Sequence, residues 1–328
     1  MHTPTSIGTL FFNSFDASAR DQFRRFVQQH SIERTWIIAA DFALRDPNHA
    51  LDCMAFTVMP FNKHPREIRS DIVTALPKDL KRSRDLTPEG IARLRDNSAF
   101  HVIITMGRKR AIFNNGDGAQ PIEIARAHIE MTVAKLQSMG GHPDQLKRFQ
   151  QLQQKAIANN FNVRLMSDIW LLGVFFSSIA VALAREAACD SIIFMPDRDD
   201  MTNFGNNVWL DYVYWDIHAL CSEFELDMRT TKVVGTGPDT SGPQEVMWYD
   251  YMIRSADWFA GAMASYNRVE NKVPGPHLKY LTMVEKVVAD AQNVVVLHFD
   301  VDKIGTQFRR VVISKSDPSQ TGNTVPVV

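Results

Sequence analysis

Residues 169–184 constrain the fold more than any other segment. Nearly every residue there is apolar, Asp168 closes one end and Arg185 the other. A spanning helix needs about 20 apolar residues, so this run reads as a helix buried on most of its faces. Such a helix needs a large core around it. A chain of 328 residues, 45% hydrophobic and 22% charged, can supply one. Residues 1–15 show no charged start followed by an apolar run, so no signal peptide is expected. The expectation is a soluble cytoplasmic protein that does not engage a membrane.

The rest of the chain supplies the layers. An apolar strand, Trp36-Ile37-Ile38-Ala39-Ala40, ends at Asp41, and a turn follows over Arg45-Asp46-Pro47-Asn48. In 52–60, Met54, Phe56 and Val58 alternate, which makes the two segments an antiparallel hairpin. Further strands are expected over 101–105, 191–195, 228–234, 294–299 and 309–314. Helices are expected over 17–29, 65–75, 122–138, 143–158, 165–188, 208–224, 245–266 and 278–289. Another opens at Thr87-Pro88, with Thr87 as cap. A hairpin followed by alternating helices and strands predicts an α/β mixed sheet flanked by helices. Four stretches follow: an N-terminal arm and helix (1–30), a main domain (31–270), a C-terminal helix and β-hairpin extension (271–315) and a disordered tail (316–328).

A formal net charge of -1 excludes a bulk basic surface, so any attraction for phosphate must be local. Three cysteines, Cys53, Cys189 and Cys221, are too scattered for a disulfide framework or a zinc site. The informative groups are acids in apolar surroundings. Asp41 ends a buried strand, Asp197 follows another, and Asp257 interrupts Ala256-Asp257-Trp258-Phe259-Ala260. Acids avoid such places unless paired or bound to a cation. Three carboxylates brought together repel one another, and Mg2+ or Mn2+ would relieve them. Paired cations of this kind hydrolyse phosphodiesters. Each acid also has a plainer use: Asp41 in the turn, Asp257 on a solvent face, and Asp197, Asp199 and Asp200 as a solvated loop.

Asp79, among Lys78, Lys81, Arg82 and Arg84, reads either as a fourth acid beside phosphate-holding cations or as part of a solvated basic loop. Gly107-Arg108-Lys109-Arg110 reads either as a phosphate grip or as a charged hairpin end. Trp209, Tyr212, Tyr214 and Trp215 could stack on bases or pack a core.

This order of motifs resembles the family called domain of unknown function 3800, a ribonuclease-H-like group. Asp41 after its strand, Asp79-Leu80-Lys81-Arg82-Ser83, Asp197 after Phe194-Met195-Pro196, and Ser255-Ala256-Asp257-Trp258-Phe259-Ala260-Gly261 carry the resemblance over about 35–266. It implies a ribonuclease-H-like core and a metal-dependent nuclease acting on RNA or DNA. Asp41, Asp79, Asp197 and Asp257 would be metal ligands, and Lys81 would hold the scissile phosphate. The chain departs from the family at Asp41-Phe42-Ala43-Leu44, where the family often reads Asp-Glu-Ser-Gly. That missing second acid supports an alternative, a catalytically inactive binding or scaffold subunit. Such a subunit would meet a protein partner or a second copy through its C-terminal hairpin.

Overall fold

The computed structural model describes residues 6–77, 83–108, 110, 112–113, 120–140, 142–158, 160–236, 249–275, 278–301 and 305–315. Strand β1 (Thr35–Ala43) is apolar on both sides because both of its faces are covered. It pairs antiparallel with β2 (Asp52–Pro60), which pairs antiparallel with β3 (Phe100–Met106). On the other side of β1, β4 (Ser191–Pro196) and then β5 (Lys232–Gly235) add in parallel. Beyond β3, β6 (Val294–Val301) adds in parallel and β7 (Thr306–Val311) closes the edge antiparallel. The result is one mixed sheet of seven strands, ordered β5-β4-β1-β2-β3-β6-β7.

Side chains alternate across a strand. Trp36, Ile38 and Ala40 therefore share a core with helix α1 (Ile7–Gln29) and α6 (Val163–Glu186). Ile37 and Ala39 face the other way, toward α9 (Asp250–Ser265). The α6 face also carries α4 (Pro121–Met139), α5 (Pro143–Ile157), the single turn α7 (Asp200–Asn203) and α8 (Val208–Glu223). The α9 face carries α2 (Pro65–Ala75), α3 (Pro88–Arg95) and α10 (Leu278–Thr282), which runs into a π-helical turn, Met283–Val288.

Helix α6 is long and apolar enough to cross a membrane, and 89% of its most apolar window is buried within the protein. It approaches α8 closely at Gly173, where a Cβ would come 2.8 Å from that of Tyr212. The aromatics of 209–215 follow the core reading. Trp209 and Tyr212 are buried, and Tyr214 Oη donates to the Val233 carbonyl at 2.7 Å.

Several elements depart from expectation. Helix α1 starts at Ile7 rather than 17, capped by the Ser6 side chain. It is a core helix, because Phe11, Phe12, Phe15 and Phe23 bury one continuous stripe. Strand β5 starts at Lys232 rather than 228. Asp227 accepts from the Arg229 amide at 2.9 Å and Thr231 N donates to the Met228 carbonyl at 3.0 Å, which commits 227–231 to a turn. The C-terminal hairpin continues the main sheet, because β6 pairs with β3. The expected tail, 316–328, lies outside the described residues.

Candidate carboxylate site

Asp41 lies on the α9 face of β1, in step with Ile37 and Ala39. The parallel register pairs Ala39 with Met195 and Ala40 with Pro196. One step on, the Asp197 amide donates to the Ala40 carbonyl at 2.8 Å. Asp41 and Asp197 are therefore neighbours at the C-terminal ends of adjacent parallel strands, on one face. Above them lies α9, whose Ala256, Ala260, Gly261 and Ala264 are small enough to bring the helix onto β1. Asp257 sits half-buried on that helix, between the buried Ala256 and Trp258.

The electrostatics join the three. Burial pushes the Asp41 carboxyl well above its ordinary range, and the charges of Asp257 and then Asp197 push the same way. The Phe42 amide opposes them, and a hydrogen bond from protonated Asp41 to Asp197 adds to the rise. Two acids from distant parts of the sequence thus act on the buried Asp41. Among the described residues, no three His, Cys, Asp or Glu side chains stand as a ready-made metal cage. The donor chemistry of the trio suits a hard cation, but closing a cage around one requires side-chain rearrangement.

Other expected groups are elsewhere. Asp79 and Lys81 lie outside the described residues, as does Lys109. Asp199, a possible substitute for Asp197, caps α7 instead, accepting from the amides of Met201 at 2.6 Å and Thr202 at 3.2 Å. Its carboxyl is pushed up to about 6, mainly by burial and against those amides. Asp200 is exposed. Arg198 pairs with Asp250 at 3.1 Å and ties the loop after β4 to the start of α9. Of the basic residues at 107–110, Arg110 is already committed to ion pairs. Arg110 is buried and ion-paired with Asp52 and, at 2.7 Å, with Asp168 of α6; Arg45 joins Asp168 from the hairpin turn.

One further group responds to the site. Tyr280 is pushed up by burial and then by the charges of Asp257 and Asp46. The Lys279 side chain is buried, with its ammonium 5.2 Å from the Tyr280 ring centroid. Both lie beyond the stretch that carried the family resemblance, and nothing local in the sequence marks them. No family model matches the chain, and no curated protein matches it.

Proposed function

We propose that this chain is a metal-dependent nuclease with a ribonuclease-H-like core, hydrolysing phosphodiester bonds of RNA or DNA. The observation that carries the proposal is the action of Asp257 and Asp197 on the buried Asp41 carboxyl. A β1–β2–β3 meander with β4 and β5 added in parallel supports the ribonuclease-H-like reading. So does an acid after β1, an acid after β4 and a third on a helix over the sheet.

Asp41 and Asp197 would hold the cation from the strand ends and Asp257 from the helix, after Asp41 gives up its proton. Bound Mg2+ or Mn2+ would activate water and shield the charge on the scissile phosphate. The buried Lys279 ammonium and the Tyr280 ring would position the substrate strand. Asp79 and Lys81 complete the proposal as a fourth ligand and a phosphate holder. The protein would work in the cytoplasm.

A second reading is a ribonuclease-H-like binding or scaffold subunit without catalysis. It draws on the missing ready-made cage among the described residues and on Phe42 in the position after Asp41. The β7 edge would then receive a protein partner or a second copy.

Labelled single-stranded RNA, single-stranded DNA, duplex DNA and RNA–DNA hybrid, each incubated with Mg2+ or Mn2+, separate the readings. Cleavage that needs the cation and is abolished in Asp41→Asn and Asp257→Asn supports the nuclease. Folded protein that cleaves none of them supports the scaffold.

A further inference from the structure

A cavity of about 440 Å³ opens between α1 and the β6–β7 edge, lined by Gln22, Arg25, Asp290, Gln292 and Arg310 among others. Its charge balance is incomplete. Arg310 pairs with Leu297 in the sheet register, so it points to the α1 face, opposite to Asp41. One guanidinium nitrogen, Nη2, donates to Gln22 Oε1 at 3.2 Å and to the Val294 carbonyl at 3.3 Å. The other, Nη1, is sealed from solvent and has no hydrogen-bond partner among the described residues. No carboxylate pairs with Arg310 among the described residues. Burial pushes the guanidinium down to about 10, so it remains a cation at neutral pH.

A buried cation without a counter-charge is unfavourable, and none of the acids in the same walls pairs with Arg310 among the described residues. Asp16 accepts from Arg185 at 2.5 and 2.7 Å. Asp21 pairs with Arg24 at 3.6 Å. Asp290 accepts from the Lys315 amide at 3.1 Å. Arg20 is committed to Glu186 at 2.8 Å. Arg25 is exposed on the cavity wall and makes no ion pair among the described residues. Two arginines therefore line one cavity, Arg25 from α1 and Arg310 from β7, and neither has a carboxylate partner among the described residues.

We propose that this cavity binds a phosphomonoester, its phosphate held between Arg25 and Arg310. Two guanidinium groups suit a phosphate dianion, and the volume is large enough for more than the phosphate. The site lies apart from the acid trio and does not depend on the nuclease reading.

Calorimetric titration of the full chain with inorganic phosphate and with a nucleoside monophosphate tests it. Saturable binding is expected in the wild type and unchanged in Asp41→Asn. Arg25→Ala weakens it by about tenfold and Arg310→Gln by about a hundredfold, the range for charge-assisted hydrogen bonds. Tighter binding of the monophosphate supports the phosphomonoester; equal or tighter binding of free phosphate overturns it. Absence of saturable binding at millimolar probe also overturns the proposal, as does unchanged affinity in both arginine variants. Should Arg310→Gln not fold, Arg25→Ala decides alone, since an exposed arginine on a helix surface is removed without cost to the core.

Discussion

Asp41 and Asp197 stand side by side at the C-terminal ends of two parallel strands, fixed by the 2.8 Å hydrogen bond from the Asp197 amide to the Ala40 carbonyl. The backbone thus forces two acids together, and α9 adds the charge of Asp257. Carboxylates held this way repel one another when ionised, and that has measurable consequences.

The first concerns pH. Asp41's carboxyl is raised in the folded protein, so ionising it costs stability. Its contribution is full below the unfolded value of about 3.9 and is lost as pH rises through the folded value. In metal-free protein the share of stability that depends on Asp41, read as the difference between wild type and Asp41→Asn, should therefore fall as pH rises toward neutral. Asp41→Asn should raise the neutral-pH melting temperature. A wild-type profile matching that of Asp41→Asn would contradict the electrostatic account.

The second concerns His101, buried against Phe259 at 4.3 Å between ring centroids. Burial, then the Arg93 charge, lowers it to about 3. Its neutral form contributes stability above the unfolded value of about 6.5, and that stability is lost as pH falls toward the folded value. Urea melts should lose up to about 1.4 kcal/mol per pH unit over this window from His101 alone. His101→Phe should remove that part of the slope.

The third concerns the ion pairs beneath the β1–β2 hairpin. Asp168→Ala leaves Arg110 buried with one carboxylate instead of two and Arg45 without its acid. A loss of about 3 kcal/mol is expected, read from denaturant melts. Asp190→Ala, which removes an exposed pair with Arg34, should cost less than about 1 kcal/mol.

The fourth concerns Gly173. Alanine normally stabilises a helix interior relative to glycine, but here its Cβ would meet that of Tyr212 at 2.8 Å. Gly173→Ala should destabilise by about 1–3 kcal/mol as α6 and α8 are forced apart. A stabilised variant would show that the two helices separate freely.

The trio was legible as a set of candidates because acids are rare where Asp41, Asp197 and Asp257 sit, at the ends of apolar strands and inside an apolar helix. Choosing Asp197 over Asp199 was not, since Asp197-Arg198-Asp199-Asp200 offers equivalent side chains until capping of α7 claims one. The pairing of Arg110, at the end of the basic run, was not legible for a related reason. Its carboxylate partners, Asp52 and Asp168, come from distant segments that only the folded sheet brings together. Helix α1 looked like an arm because Gly8, Thr9, Asn13 and Ser14 dilute its phenylalanines. Their burial depends on the sheet and α6, not on local propensity. Tyr280, which feels the charge of Asp257, comes from the chain's last third, and no local pattern announces it.

The most direct measurement is Mn2+ binding to the full chain, followed by electron paramagnetic resonance and calorimetry at neutral pH. The wild type should bind Mn2+ with release of a proton, as Asp41 ionises, and each of Asp41→Asn, Asp197→Asn and Asp257→Asn should weaken binding by tenfold or more, about 1.4 kcal/mol. Binding that is absent in folded wild type, or that survives all three substitutions, would contradict a cation site built from these acids.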